Sequence, residues 1–197
     1  IMNNKKQTFA LKGTICYSSS QTELSVTERG YLVCEDGRCV GVFGELPEKY
    51  AGIECTDFGD ELIIPGLTDL HLHAPQYTFR SSGMDLELLD WLNTYTFPQE
   101  ARYADIDFAK EAYSIFVEDM KKSPNTRACM FGTLHVPATE LLMEMLDKTG
   151  MKTMVGKVNM DRNGSEELQE ESAQASADAT VQWIEDTLDK FENVKPI

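Results

Sequence analysis

The chain has 197 residues, 42% of them hydrophobic and 26% charged, which is enough apolar material to bury a core in one or two domains. Its 33 acidic residues against 18 basic ones leave a net charge of −15, a field that repels polyanions and excludes nucleic acid and anionic membrane surfaces as partners. No apolar run reaches the roughly 18 residues that span a bilayer, and the basic opening Ile1-Met2-Asn3-Asn4-Lys5-Lys6 is not followed by the apolar stretch of a secretory signal.

Residues 1–60 read as short strands. Leu11–Tyr17 and Tyr31–Phe43 are rich in Val, Ile, Tyr and Cys, and Cys55–Phe58 offers a further strand after a loop at Pro47–Gly52. Within Cys34-Glu35-Asp36-Gly37-Arg38-Cys39 the Asp-Gly pair predicts a tight hairpin, because it accepts the positive φ angles of a type I′ turn. Cys34 and Cys39 flank that turn as buried or cross-strand thiols, since no second pair completes a tetrahedral metal site. With Cys16, Cys55 and Cys129 they make an odd set without Cys-x-x-Cys spacing, which fits free thiols in a reducing, cytoplasmic compartment.

Glu61–Gln76 reads Glu-Leu-Ile-Ile-Pro-Gly-Leu-Thr-Asp-Leu-His-Leu-His-Ala-Pro-Gln. Ile63-Ile64-Pro65-Gly66 leads into a strand in which Asp69, His71 and His73 point one way and Leu70 and Leu72 the other. Two imidazoles about 7 Å apart on one face could grip one divalent cation. Satisfied or solvated histidines are the alternative, as His-x-His alone is a weak motif.

Beyond this strand the period changes from two to 3.6. Leu88, Trp91, Leu92 and Tyr95 predict an amphipathic helix closed by Pro98, and Ala109, Ala112, Tyr113, Phe116 and Met120 a second one. An apolar strand follows at Arg127–Leu134, then a helix at Thr139–Thr149 with Gly150 beyond its end, and a strand at Thr153–Met160. Asp161–Glu171 reads as a solvated acidic loop. Val181, Ile184, Leu188 and Phe191 stripe a last helix from Ser172, and Val194–Ile197 opens one more strand. Strands alternating with helices predict parallel βαβ units.

Leu62–Tyr77 ("LIIPGLTDLHLHAPQY") resembles the first barrel strand of the amidohydrolase superfamily, whose signature is Pro-Gly followed by His-x-His. Gly83–Tyr103 ("GMDLELLDWLNTYTFPQEARY") and Val155–Asp161 ("VGKVNMD") are similar to the guanine deaminase branch of that superfamily, and the likeness runs from about Phe9 to the end of the chain. The resemblance implies an α/β fold: the first half of a (β/α)₈ TIM-type barrel over residues 61–197, preceded by part of a small β-sandwich domain over 1–60. It implies zinc or iron(II) held by His71 and His73, a base-binding loop His73-Ala74-Pro75-Gln76, and a homodimer when full length. The implied reaction is hydrolytic deamination of guanine at C2, giving xanthine and ammonia. Gln76 suits the base because its amide carries both a donor and an acceptor.

Other residues near the implied site keep two readings. Asp69 orients a histidine or bonds within the barrel, and His135, after Thr133-Leu134, stands behind the ligands or is structural. Trp91, Tyr95 and Phe97 close over a flat ring or pack as core, and Cys129 has no base beside it to make it a nucleophile.

A complete barrel takes about 250 residues, against the 137 from Glu61 onwards. The further ligands and the glutamate proton shuttle implied by the resemblance find no residues here, so the chain is expected to be the N-terminal portion of the enzyme and inactive alone. Its open strand edge is expected to leave it poorly folded or covered by another chain. The alternatives are an amidohydrolase acting on another aminated heterocycle, such as a triazine or an oxidised purine, and a catalytically silent interaction module.

Overall fold

Alternation and turn chemistry in the first third of the chain produce one sheet. In the computed structural model, which describes residues 7–197, strands β1 (Thr8–Ser18), β2 (Leu24–Glu35), β3 (Arg38–Phe43) and β4 (Glu54–Ile63) lie in the order β3-β2-β1-β4. The β2–β3 hairpin turns at Asp36 and Gly37, with φ of 49° and 78°, as the Asp-Gly signal requires. Cys34 faces Cys39 across that hairpin. Ala10, Val33 and Tyr50 form a small core, and the Tyr50 hydroxyl donates to Glu35 at 2.7 Å.

The last strand of this sheet corrects the sequence reading. β4 does not stop near Phe58: it pairs in parallel with β1, slips register, and resumes at Leu62 and Ile63. Leu62 and Ile63 therefore belong to the first unit, which the contacts close at Pro65, rather than to the entrance of the histidine strand.

The second unit begins at Gly66. Strand β5 (Leu67–His73) is followed by α1 (Leu88–Trp91), a π turn at Leu92–Thr96 and α2 (Phe97–Ala101). Here Pro98 does not end a helix. It sits in the first turn of α2, and the helix continues through it because the π turn immediately before it accommodates the missing N–H and the ring. α3 (Ile106–Lys122) starts on Asp105, whose side chain accepts from the Asp107 and Phe108 amides, and carries Lys121 and Lys122 in its last turn. The five residues expected to face inward on α3 are all buried.

β6 (Asn125–Phe131), α4 (Val136–Asp147), β7 (Lys152–Gly156), α5 (Ala173–Thr187) and β8 (Val194–Pro196) complete the alternation. β5-β6-β7-β8 form one parallel sheet in chain order. Both β6 and β7 end earlier than expected, at Phe131 and Gly156, which frees Gly132–His135 and Lys157–Met160 to form loops at the strand ends. Ala128, Met130, Val155 and Val194 from the strands pack under Leu142, Leu146 and other helix residues to form the main core.

α5 begins where Ser172 caps it, but the predicted stripe is only half buried: Ile184 packs on the core and Phe191, past the helix end, is buried in it. Ser176, Trp183 and Thr187 are buried, while Val181 and Leu188 are exposed. The Thr187 and Thr180 hydroxyls donate to the carbonyls of Trp183 and Ser176, four residues back, so this face carries its own hydrogen bonds into the core.

Candidate active site

β5, β6 and β7 are parallel neighbours, so His73, Phe131 and Gly156 mark one rim at their C-terminal ends, where α/β sheets and barrels place their chemistry. Strand alternation brings His71 and His73 together with ring centroids 5.3 Å apart and planes at 75°. Phe131, ladder partner of His73, stacks on that ring at 4.6 Å and meets His71 edge-on at 5.6 Å. His71 is exposed and His73 half-buried. Burial, and then the neighbouring His71, hold His73 below the ordinary histidine pKa. A neutral imidazole with a free lone pair is the form that binds metal. The geometry fits two imidazole ligands to one cation. Among the described residues no group of three or more His, Cys, Asp and Glu side chains gathers around them.

The loop after β5 is pinned from several sides. Ala74 and Pro75 are buried in a 3₁₀ turn (Ala74–Phe79), the Tyr103 hydroxyl donates to the Pro75 carbonyl at 3.0 Å, and Tyr77 donates to Asp119 at 2.8 Å. This holds Gln76 against the histidines. Its Nε2 lies 3.3 Å from His73 Nδ1 and donates to Glu100 Oε1 at 2.9 Å. Glu100, on α2, is only 8% exposed, and burial pushes its carboxyl above the usual range although the Gln76 bond pulls the other way. Gln76 is a candidate from the sequence, whereas Glu100 is not. The two are 24 residues apart, and only the fold joins them.

Asp69 turns out to serve the backbone: its Oδ1 accepts from the His71 amide at 3.1 Å and not from an imidazole. Trp91 donates its indole N–H to the Ser82 carbonyl, and a Cβ on Gly83 would come within 2.5 Å of Tyr95, so both aromatics pack on the Ser82-Gly83 turn. Phe97 lines a cleft of about 470 Å³ whose walls include neither histidine.

His135 follows β6 and precedes α4, with its Nε2 buried and without a partner among the described residues. Burial and then the charge of Lys157 lower its pKa. Lys157, just past β7, is itself buried, donating to Glu170 Oε1 at 2.6 Å and to the Val158 carbonyl at 3.0 Å. Glu170 Oε2 accepts from the Met160 amide and the Ser176 hydroxyl. Burial raises the Glu170 pKa, but these bonds outweigh it and leave the carboxyl below its ordinary value. The acidic loop is therefore only partly solvated: Glu170 and Leu168 tie it down.

Residues 62–195 match the sequence model of the amidohydrolase family. The guanine deaminase of Rattus norvegicus is 44% identical over 138 residues, covering 70% of this chain and 30% of that protein. That of Escherichia coli is 34% identical over 169 residues, covering 82% of this chain and 37% of that protein. A solved guanine deaminase from C. acetobutylicum, with guanine bound in its active site, matches with a TM-score of 0.89 at 40% identity, covering 97% of this chain and 45% of that one. The chain thus spans less than half the length of each of these relatives.

Proposed function

From the premise that the chain belongs to the amidohydrolase family, we propose that it provides part of the active site of a metal-dependent guanine deaminase. The observation that carries this reading is the contact of Gln76 with His73, one of two imidazoles 5.3 Å apart, which supports a base-reading amide next to a metal-binding pair. The likeness to a guanine deaminase with guanine in its active site supports the substrate. The reaction joins guanine and water and releases xanthine and ammonia, the amino group leaving from C2.

In this reading β5 to β8 are the first four strands of a (β/α)₈ barrel, and the preceding sheet is part of a β-sandwich. His71 and His73 hold the cation, zinc or iron(II), and the Ala74–Gln76 turn borders the base. When bound, such an ion lowers the pKa of water to about 7. Phe131 restrains His73 by stacking, and Gln76 orients the purine through its amide. His135 and Lys157 stand behind the rim. Free thiols throughout suit a cytoplasmic setting, and a homodimer is proposed for the full-length protein.

The test measures metal content and ammonia release from guanine on the full-length protein and on His71→Ala and His73→Ala. Both variants are expected to lose metal and turnover together while keeping the melting temperature of the metal-free wild type. Full activity in either variant, or a preference for triazines over guanine, would sink the assignment.

A further inference from the structure

Resting on the guanine deaminase reading, we propose that Glu100 is a positioning residue that locks the Gln76 amide with its carbonyl oxygen turned to the ligand, so that the site selects a ring presenting an N–H donor there. A glutamine amide has two ends that differ only in hydrogen bonding, so left alone it would present either one. Here its two neighbours compete to set it. An ionised carboxylate only accepts, so Glu100 at 2.9 Å requires the amino end. His73 Nδ1, at 3.3 Å, accepts or donates according to its tautomer and tolerates either end. The shorter, charge-assisted bond decides the orientation. Nε2 then faces both Glu100 and His73, and Oε1 is left without a hydrogen-bond partner among the described residues, free to accept from a ligand.

The burial of Glu100 strengthens the lock. Its carboxylate takes a single hydrogen bond among the described residues, from Gln76, and no cation pairs with it. A buried acceptor with one partner holds that partner firmly, because losing the bond leaves the group unsatisfied. The π turn ahead of α2 keeps the helix running through Pro98, so that Glu100 is carried on a helix and not on a loop.

The test uses full-length holoprotein and xanthine, the product, as a probe that is not consumed. Glu100→Leu removes the acceptor, and xanthine binding should weaken about tenfold, the size of one net hydrogen bond. KM for guanine should rise by about the same factor, with kcat changed less than about threefold. Glu100→Gln carries an amide that can turn either end to Gln76, so the lock loosens and xanthine binding should weaken by about threefold or more. Glu100→Leu combined with Gln76→Leu should bind no worse than Gln76→Leu alone, since the first acts only through the second. Additive losses in the double variant, or wild-type binding by Glu100→Leu, overturn the proposal. If Glu100→Leu does not fold, Glu100→Gln decides alone: weakened binding that adds nothing to the loss in Gln76→Leu supports the lock, and wild-type binding overturns it. A wild-type protein that neither binds xanthine nor deaminates guanine refutes the parent reading and this one with it, an outcome distinct from every variant-specific result.

Discussion

The parallel sheet of the second unit has two faces built from one alternation, and they are put to different uses. The face under the helices is apolar and closed: Ala128, Met130, Val155 and Val194 are almost wholly buried. The opposite face carries His71, His73 and Phe131, and remains open, with Phe131 39% and Met154 43% exposed. Along β6 and β7 alternate residues thus answer to separate constraints, whereas in β5 a register shift between Asp69 and Leu72 interrupts the alternation and Leu70 is 75% exposed. One set determines whether the sheet holds together, and the other determines what the rim can bind. Substitutions on the two faces should therefore separate stability from chemistry.

The largest separation is expected from His71→Ala. It removes one of the two proposed ligands, and on that reading the lost charge stabilisation of several kcal/mol corresponds to a fall in turnover of about a thousandfold or more. Because His71 is exposed, the variant should melt like the metal-free wild type. A variant that unfolded as well would erase the distinction between the faces. The reverse case is the Lys157–Glu170 pair, buried at 1% and 13% side-chain exposure. Glu170→Ala leaves the ammonium buried without its partner, a change that destabilises by about 3–5 kcal/mol. The pH dependence follows from the same pair. Glu170 titrates below its unfolded value of 4.5 in the folded state, so its contribution is fully present above that pH. It is lost as pH falls through the folded value. An acid denaturation profile should show this loss below about pH 4.5 in the wild type and a shallower slope in Glu170→Gln.

Leu146→Ala, in the closed core, should cost about 3 kcal/mol by denaturant titration with metal affinity of the folded protein unchanged. If metal affinity fell with it, the two faces would be mechanically coupled.

How much of this was legible beforehand depended on the range of the signal. The His71–His73 face follows from period two alone, and the α3 core from period 3.6, because both are set by backbone geometry within one element. The Asp36-Gly37 turn is equally local. α5 misled for a chemical reason: Ser176 and Thr187 count as polar in a sequence but are buried, the Thr187 hydroxyl bonding the helix itself and that of Ser176 bonding Glu170. Glu100 and Lys157 were not legible. Each is a charged residue whose partner lies 13 or 24 positions away, and nothing near either marks it as buried. The slip in β4 was hidden because Gly59 looks like a strand end and is instead part of a register shift.

Phe131 tests the comparison at its finest, since it is an apolar residue on the open face. If its role were stability, replacing it would behave like a core substitution and cost several kcal/mol. Its exposure argues against that, since much of its ring area stays in water in the folded state. Its contacts are with His73 at 4.6 Å and His71 at 5.6 Å, and aromatic pairs of this kind contribute about 0.5–1.5 kcal/mol. Phe131→Leu keeps an apolar side chain in the strand but gives up the stacking. It should therefore leave the unfolding midpoint unchanged while weakening metal affinity by about three- to tenfold, measured by competition with a chelator. The opposite result, a lower midpoint with metal affinity intact, would assign Phe131 to the stabilising face and show that alternation alone does not divide the two roles.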